Sequence, residues 1–369
     1  MGAEQTAQSR SPSAAPASQH STVSSGYRML RLGRWVHVPY AVRTRRIVSI
    51  GAALIVGLSC LTLWWGPLGI GPADLRALSL GDADAGVTFV LERLRGPRVL
   101  VAIGVGIAFG LSGALFQTVT RNPLGSPDVI GLGAGAGAGV AVGTLFFPGL
   151  VPAPLGALAG AAVAIGLVWF STGFGFASPG RIIITGIGVA AMSLALTQYV
   201  VAVALRDSAS QLAAYLVGSL GTRNMGHVMV IVVALALLIP GVVALSHRLT
   251  PMDLGDDLAT SLNGSATGAR ARAIVLSVAL AAAAVSVAGP IAFVALSAPH
   301  IARRLTRQPG PNLTASAVVG AIIMLSADFL VQHVPAFDGL PVGVITAGVG
   351  GVYLGYLLVS RWRRSSAGA

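Results

Sequence analysis

The sequence predicts an all-α, polytopic membrane protein of about ten transmembrane helices. Three observations carry the expectation. The 369-residue chain is 54% hydrophobic and only 10% charged, whereas soluble domains carry about 25% charged residues. Its uncharged stretches come in lengths close to the roughly 20 residues that a helix needs to cross the hydrocarbon core. Its arginines gather on one side of the resulting map, as basic residues do in cytoplasmic loops.

Taken in order, residues 1–45 are polar and rich in Ser, Ala and Arg, without the apolar core of a signal peptide. They read as a basic cytoplasmic arm, mostly disordered. Residues 46–362 form the ten-helix domain, and 363–369 a cytoplasmic tail. The first span, 47–66, serves as an uncleaved anchor. The uncharged stretches are 47–73, 99–120, 129–180, 182–205, 224–247, 273–302, 308–327 and 339–360. The longest, 129–180, holds two spans, with Pro148, Pro152 and Pro154 marking the turn.

Charge settles the stretch 273–302. Arg270 and Arg272 precede it; Arg303, Arg304 and Arg307 follow it. Both clusters belong on the cytoplasmic side, so an even number of crossings separates them. Thirty residues are too few for two full spans. The expected solution is one full helix, a break at Gly289-Pro290, and a short helix returning through protein-lined space. Ten spans then leave both termini inside. On this map eighteen of the 24 arginines lie inside and six outside. The net charge of +12 is answered by anionic lipid headgroups, with no need for nucleic acid.

Composition also removes whole chemistries. The chain has no Lys, hence no Walker A lysine, Schiff base or lysine general base. Cys60 is its sole cysteine and Glu4 and Glu92 its only glutamates, which excludes intrachain disulfides, multi-cysteine metal sites and an HExxH helix. No metal or cofactor site is expected. His37, His227, His247 and His333 show no ligand spacing.

Three segments say more. In 93–139, Gly104, Gly106, Gly110 and Gly113 are spaced for close approach of a neighbouring helix. Asp128 suits the positive end of the following helix. The GxGxGxG run at 131–139 has neither a preceding strand nor an acidic partner, so close helix packing accounts for it better than a nucleotide loop. In 249–272, Asp253, Asp256 and Asp257 open a polar stretch in which Leu254, Leu258 and Leu262 recur at helical spacing. The pattern reads as a short amphipathic helix at the cytoplasmic surface, ended by Asn263-Gly264. The third segment is VAGPIAFVALSAPHIARR at 287–304, followed by Ala327-Asp328 and LPVGVITAGVG from 340.

These phrases, with RLRGPR, SGALFQ, RNPLGSPDVIG and LGDDLATSLN, resemble the permease subunits of type II ABC importers, the FecCD-type family that takes up ferric siderophores, haem and cobalamin. The resemblance covers about residues 50–360. It implies the type II permease fold with cytoplasmic termini in the bacterial plasma membrane. It also implies a second permease subunit, identical or homologous, two ATPase subunits that hold the ATP and Mg, and an extracytoplasmic substrate-binding protein. The chain itself is then a transport subunit, not an enzyme.

By the same resemblance, Asp253, Leu254, Gly255, Leu258, Ala259 and Leu262 form the helix that couples to the ATPase. Thr260 and Asn263 depart from residues common in the family. Arg95 and Arg98 answer to the arginines that meet acidic residues of the binding protein, against a plain reading as interfacial snorkelling. The family's further arginine after Ala-Asp is replaced by Gln332-His333. The pathway is assigned to the fifth span and the short helix after it, at Thr185, Met192, Ser193, Thr197, Gln198, Gln211, Tyr215, Ser219 and Leu220, each of which also fits ordinary helix packing.

Asp328, an acid in an apolar span, reads either as a proton or cation site or as a hydrogen-bonded brace between helices. His300 reads as a packing or hinge residue. The leading expectation is the permease of an ATP-driven importer for an iron–siderophore complex. Haem or cobalamin permeases, a proton-coupled secondary transporter and a membrane scaffold or sensor are the alternatives.

Overall fold

The computed structural model describes residues 27–32, 36–66, 69–173, 179–204, 215–249, 252 and 266–366. The chain divides into Met1–Arg45 and Arg46–Ala369. In the first unit, β1 (Tyr27–Leu32) pairs antiparallel with β2 (Val36–Ala41), Tyr27 opposite Ala41 and Leu32 opposite Val36. The composition of 1–45 pointed instead to an arm without regular structure. The difference lies in a local run of strand-forming residues, Tyr27, Met29, Leu30, Val36, Val38 and Tyr40, which the average over the whole arm hides.

The second unit is helical. Its long elements are α1 (Val42–Trp64, beginning at the end of the first unit), α4 (Gly96–Thr120), α5 (Leu132–Phe146), α6 (Ala153–Ser171) and α7 (Pro179–Ala204). They continue with α8 (Met225–Leu249), α9 (Ala266–Ala288), α10 (Val294–Thr306), α11 (Leu313–His333) and α12 (Val342–Ser366). Two short helices, α2 (Pro72–Leu80) and α3 (Ala85–Phe89), join α1 to α4, and a π-helical turn at Val90–Arg95 runs into α4. Among the described residues, seven helices are long and apolar enough to cross a membrane. Shorter apolar helical stretches, Leu132–Phe146 in α5 and Val342–Leu357 in α12, and the 13-residue α10 stand beside these seven, against the ten spans expected from the charge map.

The breaks fall where proline and glycine place them. Pro152 caps α6 and Pro154 lies in its first turn, so residues 147–152 form the hairpin between α5 and α6. α9 stops at Ala288. Gly289 then takes a left-handed conformation, φ 80°, which glycine adopts without steric cost. Four residues, Pro290 to Phe293, separate it from the start of α10 at Val294. Thirteen residues make a helix about 20 Å long, about two thirds of the hydrocarbon core.

α4 is the centre of the bundle and is almost wholly buried. Glycines let its neighbours approach to backbone distance, as their spacing predicted. A Cβ on Gly104 would meet Ile231 of α8, on Gly106 the Gly320 carbonyl of α11, on Gly110 the Ser316 carbonyl of α11, and on Gly113 the Ala295 carbonyl of α10. Lipid gives helices no hydrophobic reason to associate, so this close van der Waals contact is what holds the centre. Polar contacts add to it: the Ser112 hydroxyl meets Ser277 of α9, and Ser277 Oγ donates to the Ser112 carbonyl at 2.8 Å.

Candidate functional site

The π-helical turn and the first turn of α4 carry three arginines within six residues, Arg93, Arg95 and Arg98. Arg98 Nε donates to Asp328 Oδ1 of α11 at 2.8 Å, and Gln332 Nε2, one turn further along α11, donates to Asp328 Oδ2 at 2.6 Å. The Asp328 side chain is fully buried and that of Arg98 is 17% exposed. Both carboxylate oxygens are therefore satisfied, which a charge in an apolar span requires. The brace reading of Asp328 is the one this geometry supports.

Arg95 does a different job. Its Nη1 donates to the carbonyls of Thr62, Leu63 and Trp65 at 2.9, 2.9 and 2.7 Å. These belong to the C-terminal end of α1, where carbonyls lack partners and the helix dipole is negative. His333 Nε2 joins them at Trp65 O, 3.0 Å away. Arg95 and Arg98, expected to face a binding protein, are thus both occupied within the chain, and so are Gln332 and His333. The reason is arithmetic: a lone acid in a span and an open helix end both need a cation, and these arginines are the nearest. The exposed arginine of the group is Arg93, which the sequence reading passed over. Its place on the solvent side of the π-helical turn is not visible in spacing counted at ordinary helical pitch.

α7, which carries the expected pathway residues Met192, Thr197 and Gln198, leaves much of its surface uncovered. It buries one stripe, Ile182, Gly186, Val189, Thr197 and Val200, against α5 and the turn at Pro127–Ile130. The rest is exposed, including Ile184, Ile187, Met192, Leu196, Gln198 and Tyr199. Met192 and Gln198 therefore lie on the exposed face of α7, and Met192 also lines an apolar crevice of about 570 Å³ between α5, α6 and α7. Thr197 does not. It is on the buried stripe, and its hydroxyl donates to the Ser193 carbonyl at 2.9 Å.

The loop before α8 holds three more of the residues assigned to the pathway, Tyr215, Ser219 and Leu220. Tyr215 is buried, its hydroxyl donating to the Val285 carbonyl of α9 at 3.0 Å, and Leu220 is fully buried. Both side chains are packed inside the chain and anchor the loop. Ser219 is half-buried, and its amide donates to the Ala288 carbonyl at 2.9 Å. The loop thus stitches itself to the break between α9 and α10, where Gly218, φ 85°, fits under Pro290 and Ile291. Gln211 lies outside the described residues.

The segment bearing Asp253, Leu254, Gly255, Leu258, Ala259 and Leu262, expected to couple to an ATPase, also lies outside the described residues. Its root does not. Met252 is buried, and its carbonyl accepts from Arg121 Nε at 3.0 Å. Arg121 caps α4 in a left-handed conformation, φ 49°. Nearby, Ser126 Oγ donates to Asp128 Oδ2 at 2.9 Å. Burial pushes the Asp128 carboxyl up to about 6, and the Ser126 hydrogen bond opposes the shift.

Known proteins give this arrangement a context. The chain is 36% identical over 319 residues to the ferric enterobactin transport system permease protein of Escherichia coli, covering 86% of this chain and 96% of that one. It is 36% identical to an Fe(3+)-citrate import system permease protein of Bacillus subtilis, over 84% of this chain and 94% of the relative. Among solved structures, an inward-facing putative metal-chelate type ABC transporter matches with a TM-score of 0.73 and 25% identity, over 86% of this chain and 99% of that one. Residues 54–360 match the model of the FecCD transport family, and the chain belongs to that family.

Proposed function

We propose that this chain is the membrane-spanning subunit of an ATP-driven importer for a ferric siderophore. It sits in the bacterial plasma membrane with both termini in the cytoplasm. It works with a second permease, identical or homologous, two ATPase subunits and an extracytoplasmic binding protein. The observation that carries the substrate class is the relatives' common cargo. Permeases named for ferric enterobactin, ferric citrate and iron(3+)-hydroxamate each match this chain over more than three quarters of its length. Iron held by an oxygen-donor chelator is what these have in common, and that favours a siderophore over haem or cobalamin.

The absence of lysine supports a division of labour in which ATP and Mg belong to the partner chain. The segment from Asp253 to Leu262 is its contact: the apolar positions Leu254, Leu258 and Leu262 enter an ATPase groove, and Arg121 anchors the segment's root. On the other face, exposed Arg93 and Arg76 supply the positive charge that steers an acidic binding protein into place, while Arg95 and Arg98 hold the platform beneath. The solute passes along the uncovered face of α7 at Met192 and Gln198, with Ser219 near the mouth. Weakly polar walls suit a bulky chelate that must be released as well as admitted.

A proton-driven mechanism needs a relay of intramembrane acids. Asp328 is the one fully buried acid among the described residues, and it is paired. The experiment is growth and iron uptake of a deletion strain on a panel of ferric siderophores, haem and cobalamin. Loss confined to one or more siderophores is expected; loss of cobalamin or haem uptake alone contradicts the substrate class.

A further inference from the structure

We propose that the cytoplasmic end of α4 is a bracket that carries a displacement at Met252 into the half-helix α10, with Gln117, Arg121 and Arg303 as its positioning residues. The inference rests on the ATP-driven reading above and names the parts through which it acts.

The geometry is a pair of attachments one turn apart on a rigid helix. At the very end of α4, Arg121 Nε donates to the Met252 carbonyl at 3.0 Å. One turn earlier, Gln117 uses both ends of its amide on α10. Its Nε2 donates to the Leu296 carbonyl at 2.9 Å, and its Oε1 accepts from Arg303 Nη2 at 2.6 Å. Gln117 is 3% exposed, so these are bonds made out of reach of bulk water, where leaving a partner unmet is costly. The bond from Arg303 is charge-assisted and directional. Apolar contact would let two helices slide past each other. This set fixes register.

α10 is built to respond. Pro299, inside it, has no N–H for the Ala295 carbonyl, which loosens the turn beside Gln117. Its first residue follows Phe293 at φ 69°, a left-handed conformation that is strained for a non-glycine residue and persists where the surrounding packing enforces it. The Phe293 ring packs where Gly350 of α12 leaves room, and His300 Nδ1 meets the Tyr353 hydroxyl of α12 at 2.7 Å. Gln117 therefore clamps α10 to α4 by two polar bonds, and His300 ties α10 to α12. A tilt of α4's end moves α10 with it and strains the contact to α12 first.

The test uses the complete transporter in vesicles: this chain with its ATPase, partner permease and binding protein. Solute imported per ATP hydrolysed is the readout. Gln117→Leu and Arg121→Ala should lower that ratio about tenfold, within the range typical of coupling between sites, while hydrolysis persists and Arg121→Lys restores part of the ratio. Import and hydrolysis falling in equal proportion, or neither changing, overturns the proposal.

A second measurement needs no weakened variant. In a Cys60→Ala background, spin labels at Pro123 and Leu305 should keep a constant separation through the ATP cycle, while labels at Leu305 and Val359 should not. A changing first distance overturns the bracket. Wild-type transporter that imports nothing with ATP overturns the functional reading instead.

Discussion

Arg98 and Asp328 form a buried ion pair between α4 and α11, with Arg98 Nε 2.8 Å from Asp328 Oδ1 and Gln332 closing the second oxygen. The pair lies between the two helices in closest mutual contact. It converts a costly charge in an apolar span into a fixed distance between them.

Removing one partner leaves the other buried alone, which costs about 3–5 kcal/mol. Arg98→Ala and Asp328→Asn should each lower the thermal stability of the purified permease. Replacing both, by Arg98→Met with Asp328→Leu, should recover much of the loss. Single variants as stable as the wild type in a detergent melt would remove the brace from the account.

The same pair shows how far the sequence reaches. An acid in an otherwise uncharged stretch announces that a cation must be near, but not which one. Arg93, Arg95 and Arg98 were equally placed, and only the π-helical turn that precedes α4 decides which guanidinium faces α11. The spans were legible because length and charge side are one-dimensional properties of the chain, and the glycine contacts of α4 were legible because Gly104, Gly106, Gly110 and Gly113 mark close approach wherever they recur on one face. The lining of α7 was not. Met192 and Thr197 are both weakly polar residues on the same helix, and rotation about its axis, set by packing on α5, puts one on the surface and the other in the core.

The glycine seam gives a second expectation. Gly113→Val forces a side chain into the Ala295 carbonyl and should cost more than the about 1–3 kcal/mol of ordinary overpacking, seen as lost expression of folded permease. Gly57→Ala, where a Cβ meets nothing within 4 Å, should be neutral in the same assay.

Asp128 gives a pH dependence. Its carboxyl titrates at about 6 in the folded chain and near the ordinary value of 3.8 when unfolded. Between those values the folded state holds the extra proton, so stability is greatest at the acid end and falls as pH rises to about 6. Asp128→Asn, which keeps an acceptor for Ser126, should remove that decline. The check is the difference in melting temperature between variant and wild type from pH 4 to 7.5: it should grow with pH and level off above about 6. A constant difference would contradict the burial of this carboxyl.

Docking should depend on the exposed arginine. Arg93→Glu is expected to weaken capture of the binding protein by about tenfold at low ionic strength and less at high salt, because exposed charges are screened within about 10 Å at 0.1 M. Its melting temperature should not move. Titration of labelled binding protein onto permease in nanodiscs, at two salt concentrations, measures both quantities; equal affinity at low salt would place the docking charge elsewhere.

The central claim is that this chain is a conduit without an engine of its own. The most direct measurement is ferric siderophore accumulation in vesicles containing the permease alone or with its ATPase, partner permease and binding protein, with ATP or an imposed proton gradient as the energy source. Accumulation only in the complete assembly and only with ATP is the predicted result. Uphill accumulation by the permease alone on a proton gradient would contradict it.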